Sequence, residues 1–154
     1  MRALIDTSVL VKQSLRIGLQ EAAARRLFTP IWSPWIIAEL NRVLTWRWIK
    51  DRPPGNDLSD ANERRCGESA KRMMDLLFPV FELVHPLPPY PAVWETLTDP
   101  WDVPIYAAAV AGAARYVVSD NTRDYPQEGV DGRREYGGVE YLSGAAFLTS
   151  LYEI

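Results

Sequence analysis

The chain has 154 residues, 47% hydrophobic and 24% charged, which fits one soluble globular domain over 1–154 and leaves too little sequence for two. One cysteine, Cys66, excludes an internal disulfide and a cysteine-rich zinc site. One histidine, His85, removes His-based zinc sites, the Ser-His-Asp triad and most imidazole acid–base schemes, so enzymatic chemistry would rest on carboxylates or a cofactor. The net charge of −3 and pI of about 5.2 argue against a broad basic surface for nucleic acid. They do not exclude a nuclease, because acids gathered at one site lower the pI and bound metal reverses the local sign.

In chain order, residues 2–5 read as a short buried strand ended by Asp6. The apolar run broken by that acid is neither a signal-peptide core nor a span. No later stretch approaches the roughly 18 apolar residues of a membrane helix, so a soluble cytoplasmic protein is expected. Thr7 and Ser8 can cap a helix through residue 15, and a second helix is expected over 19–28, ending before Pro30. Residues 31–33 suit a brief strand, and Ser33-Pro34 is a helix start with proline at the first position. The helix over 34–50 has Ile36, Leu40, Val43 and Leu44 at core spacing, with Glu39 on the margin of that face. DRPPGND at 51–57 is a loop, 60–78 an amphipathic helix closed by Pro79, and 80–84 a strand before the proline-rich 86–91. A helix follows Asp102, with Ile105, Ala108, Ala109 and Gly112 on a small-residue face suited to packing on a sheet. The next strand is 116–119, residues 122–138 read as loop, 139–142 as a last strand, and Ser143 caps a final helix. Strands alternating with helices imply an α/β sandwich around a mostly parallel sheet.

Ligands of such sheets bind beyond the carboxyl ends of the strands, where strand order reverses. Asp6 follows the first strand, and Asp120, Asn121 and Asp124 follow the 116–119 strand, while Asp102 and Glu39 stand near helix starts. All can meet on one edge. Two carboxylates ~4 Å apart repel by about 4 kcal/mol at an effective dielectric near 20, so a cluster needs protons or cations. A histidine-free set of oxygen donors suits Mg²⁺ or Mn²⁺, and the chemistry these ions support is hydrolysis of a phosphodiester.

At this point the sequence resembles the PIN-domain family, the ribonuclease fold shared by VapC-type toxins. ALIDTSVLV at 3–11 resembles the family's opening strand and catalytic Asp, and WSPWIIAELNRVL at 32–44 the helix that carries its Glu. DPWDVPIYAAAVAGAARYVVSDNTRDYP at 99–126 resembles its D-P-x-D, alanine-rich helix, strand, and Thr/Ser-x-Asn-x-x-Asp-Phe/Tyr-Pro stretch. The resemblance implies a three-layer α/β/α sandwich around a PIN-like, mostly parallel sheet. It implies a Mg²⁺- or Mn²⁺-dependent ribonuclease, a homodimer, and a small antitoxin as partner. Asp6, Glu39 and Asp102 take the positions of the metal-binding acids. The fourth position falls on Asp124 where Asn121 replaces the more common Asp, with Asp120 an extra acid and Ser8 the small hydroxyl beside the site.

Plainer readings stand beside these. Asp6 suits a helix cap, Asp99 with Pro100 a cap-and-proline start, and Asp102 a helix N-terminus. Glu39 suits an ion pair with Arg42, and Asn121 and Asp124 suit any turn. Trp46 and Trp48, interleaved with Arg42 and Arg47, suit either RNA bases and phosphates or a partner surface. Two other functions compete with the nuclease. One is a haloacid-dehalogenase-like phosphatase, which wants an acid where Ser8 stands; the other is a PIN-like module that binds RNA or a partner without cutting.

Overall fold

A computed structural model describes residues 1–50, 60–87 and 102–153, the side chains of Asp60 and Asp124 excepted. The 51–57 loop, Asp99 and most of the proline-rich stretch lie outside the described residues. The elements run β1 (Arg2–Ile5), α1 (Thr7–Leu10), α2 (Gln13–Ala24), β2 (Thr29–Trp32), α3 (Pro34–Lys50), α4 (Asp60–Leu77) and β3 (Glu82–Leu83). They continue with α5 (Val103–Ala111), β4 (Tyr116–Val118), a 3-10 turn (Thr122–Asp124), β5 (Glu135–Tyr136), β6 (Val139–Leu142) and α6 (Gly144–Tyr152).

The six strands form one sheet in the order β3-β2-β1-β4-β6-β5. Every pairing is parallel except β5 with β6. Strand alternation then sorts the helices into layers. Tyr116 points towards α6, where its ring lies 5.7 Å from that of Phe147. Val117 points the other way, in register with Leu4 and Tyr141, and Leu4 is in register with Ile31. Ile31 meets Gly112 at the end of α5. α5 and α6 therefore cover opposite faces, and the fold is an α/β/α sandwich, with α3 and α4 packed along each other. No helix among the described residues is long and apolar enough to cross a membrane.

Several sequence-based boundaries move. The first helix stops at Leu10 rather than residue 15, and its cap is Asp6, whose Oδ1 accepts from the Thr7 N–H. α2 starts at Gln13 and stops at Ala24, short of Phe28, because Arg26 takes a left-handed φ of 60°. There Arg26 N–H donates to Ala23 O and Leu27 N–H to Ala22 O, the paired bonds of a Schellman turn. Glycine is the usual sign of that turn, so arginine conceals it. α5 ends the same way on Ala113, at φ 49°.

Pro30, expected to lie outside the strand, sits within β2. Thr29 N–H donates to Met1 O on the β1 side, so the next residue's absent N–H would face β3. Among the described residues β3 pairs with Ile31 and Trp32, so Pro30 faces no ladder there, a situation in which a sheet tolerates it. β3 itself has two residues rather than the five expected. The 122–138 segment is not all loop: Gly137 (φ 55°) and Gly138 (φ 84°) turn the β5–β6 hairpin.

Candidate active site

The sheet reverses direction between β1 and β4, since the chain leaves β1 for β2 and β3 and returns to β4 on its other side. A cleft of about 1020 Å³ opens there, beyond the carboxyl ends of the strands, and Asp6, Glu39, Asp102, Asp120 and Asn121 line it. Three of the four acids expected at the site, Asp6, Glu39 and Asp102, thus face one cavity. Asp124 closes the 3-10 turn after β4, and its side chain lies outside the described residues.

Asp6 is 6% exposed and held from two sides. Its Oδ1 accepts from the Thr7 N–H at 2.8 Å, and its Oδ2 from the Ser8 hydroxyl at 2.6 Å and the Ser119 hydroxyl at 2.8 Å. Both hydroxyls also accept a backbone N–H of the loop after β4, Ser8 from Asp120 at 2.9 Å and Ser119 from Asn121 at 3.1 Å. The network fixes the carboxylate's direction and ties the loop to it. Ser8, the small hydroxyl that the resemblance implies, is one of the donors to Asp6. In the sequence Ser119 stands only as the strand-ending Thr/Ser of the Thr/Ser-x-Asn stretch, with no role of its own.

Asp120 has a different task. Its Oδ1 accepts from the Gly144 N–H at 2.8 Å, at the first turn of α6, and its Oδ2 pairs with Lys12 Nζ at 2.6 Å. Both oxygens are engaged by protein donors, so this acid braces α6 and the cleft wall. Asp102 stands at the N-cap of α5, and its side chain does not cap the helix N–H groups. Glu39 projects from the second turn of α3, half-buried.

The walls carry two tyrosines that the sequence did not single out. Tyr125 and Tyr141 line the cleft with their rings 5.8 Å apart. The Tyr125 hydroxyl donates to Ser119 O, and burial with the charges of Asp120 and Asp6 pushes its pKa up to about 12. Burial, then Asp102, also pushes the Tyr141 phenol up, and its hydroxyl has no hydrogen-bond partner among the described residues. On α3, Arg42 and Arg47 face the cleft and form no ion pair with another described residue, Glu39 included. Arg47 donates to Val11 O at 2.9 Å, across the rim. Trp35 lines the cleft, whereas Trp46 and Trp48, 63% and 50% exposed, stand outside its lining.

The donor set fits Mg²⁺ or Mn²⁺ in kind, since the described acids of the cleft offer hard oxygens and no thiolate or imidazole joins them. Among the described residues no three such groups converge closely enough to enclose one ion. An ion that keeps several waters and takes only one or two carboxylates from the protein does not need them to.

Among solved structures, VapBC2 from Rickettsia felis, bound to a DNA fragment from their promoter, is similar over 93% of this chain and 98% of that chain. The TM-score is 0.54 and the identity 15%, a likeness of fold. No curated protein matches the sequence. The PIN-domain family model matches residues 2–123, a span that runs from β1 to the turn after β4 and carries Asp6, Glu39 and Asp102. The chain belongs to the PIN-domain family, a family of nucleases.

Proposed function

We propose that the chain is a divalent-metal-dependent ribonuclease that hydrolyses RNA phosphodiesters, the toxin of a toxin–antitoxin pair acting in the cytoplasm. The observation that carries this reading is the single cleft shared by Asp6, Glu39 and Asp102 at the reversal of the sheet, with cationic Arg42 and Arg47 on its rim. Asp6 and Asp102 hold Mg²⁺ or Mn²⁺, Asp124 completes the set, and Glu39 ligates or orients the attacking water. The ion, when bound, supplies an activated water and a counter-charge for the phosphodiester. Asp6 keeps its direction through Thr7, Ser8 and Ser119 and so needs little reorganisation on binding. Arg42 and Arg47 hold the phosphate backbone, and Trp35 offers a face on which a base of a single strand stacks. Trp46 and Trp48, exposed outside the cleft lining, serve a second copy of the chain or the antitoxin, which would bind as a small protein partner. The VapBC2 likeness supports that partner reading.

Incubation of total RNA with the protein and Mn²⁺ tests the reading. Cleavage is expected with Mn²⁺, is abolished by EDTA, and falls by more than roughly 100-fold in Asp102→Asn, beyond the usual cost of an outer-shell change. Undiminished cutting by that variant contradicts the mechanism. Asn121, standing where the family more often has Asp, and the acidic pI favour one rival, a PIN-like module that binds RNA without cutting it. RNA bound but left intact in Mn²⁺ would select that rival.

A further inference from the structure

Tyr141 lies on β6, in register with Val117, on the face of the sheet covered by α5. It is 7% exposed, and its hydroxyl is enclosed without a hydrogen-bond partner among the described residues. A buried donor left unpaired destabilises a fold, and phenylalanine would fill the same volume without that cost. The neighbouring Tyr125 makes the contrast, because its hydroxyl is spent on Ser119 O. Tyr141 and Asp102 line the same cleft, close enough for the charge of that acid to be felt at the phenol.

We propose that Tyr141 is a positioning residue for Asp102: its O–H donates to the Asp102 carboxylate when the cleft takes up its divalent ion, fixing which oxygen faces that ion. The inference rests on the metal-binding reading above. Metal-ligating carboxylates are characteristically held by such an outer hydrogen bond, which sets their orientation and basicity. A phenol suits the task in an acidic cleft because it donates without adding charge. The unpaired hydroxyl is then a cost to the empty protein that is recovered on metal binding.

Two measurements on Tyr141→Phe test it, thermal unfolding without metal and Mn²⁺ titration by calorimetry, with Tyr125→Phe as the control for a paired hydroxyl. Tyr141→Phe is expected to melt at or above the wild-type temperature and to bind Mn²⁺ about tenfold more weakly, with a similar loss of cleavage. Tyr125→Phe is expected to melt lower. Wild-type Mn²⁺ affinity in Tyr141→Phe overturns the proposal. So does a drop in its melting temperature matching that of Tyr125→Phe, which would make the hydroxyl an ordinary structural one. A wild-type protein that binds no Mn²⁺ overturns the metal reading itself, and this inference with it.

Discussion

At Ser119 one hydroxyl gives its proton to Asp6 Oδ2 and accepts the Asn121 N–H, so a single oxygen joins β1 to the loop after β4. Ser119→Ala removes a donor from a buried carboxylate and leaves a backbone N–H without its acceptor. The expected loss is about 1–3 kcal/mol of folding stability, read by urea denaturation, together with a fall in Mn²⁺-dependent cleavage. Asp120→Ala should behave differently. It strips an acceptor from the first turn of α6 and costs about 1 kcal/mol, as a lost cap does, but it leaves cleavage standing. A collapse of cleavage in Asp120→Ala would make that acid a ligand and not a brace. The sequence placed Asp120 at the site but not its direction, because that direction is set by Lys12 and Gly144, each more than 20 residues away in the chain. The same limit hid Tyr141, which came from a strand legible as a strand, with nothing local to say which face met the acids.

Among the elements, the helix starts marked by proline or serine were legible, whereas the start of α2 and the ends of α2 and α5 were not. Pro34 and Ser143 mark N-termini by local chemistry, and Ser143 Oγ does accept the Ala146 N–H. The ends of α2 and α5 depend on left-handed residues that are not glycine, Arg26 and Ala113, so the usual mark is missing. Gly112 stands one residue before the left-handed position, at φ −84°, and serves packing. A Cβ there would collide with the Cδ1 of Ile31, which is fully enclosed. Opposite stability changes follow. Arg26→Gly relieves a left-handed backbone and should stabilise by about 0.5–1 kcal/mol after the entropy of glycine is deducted. Gly112→Ala overpacks the sheet–α5 interface and should destabilise by about 1–3 kcal/mol. Denaturant midpoints of the two variants check both signs, and a stabilised Gly112→Ala would contradict the packing account.

For the whole molecule, net charge misrepresents the site. A chain at −3 gathers acids beyond the sheet's carboxyl edge and sets Arg42 and Arg47 beside them, so the cleft carries both signs at short range. That edge was legible from strand–helix alternation, because a parallel sheet brings every strand end to the same side. Asp6, Glu39 and Asp102 could therefore be brought together on paper. The walls came from elements whose packing no local pattern specifies: Lys12 from the break between α1 and α2, Trp35 from the first turn of α3, and Tyr141 from β6. The central claim is that the carboxylates of this cleft hold a divalent ion, and calorimetric titration of the purified protein with Mn²⁺ tests it most directly. Wild-type protein should bind, and Asp6→Asn should lose more than roughly 100-fold in affinity, beyond the usual cost of an outer-shell change. No binding by the wild type, or equal affinity in Asp6→Asn, would contradict the account.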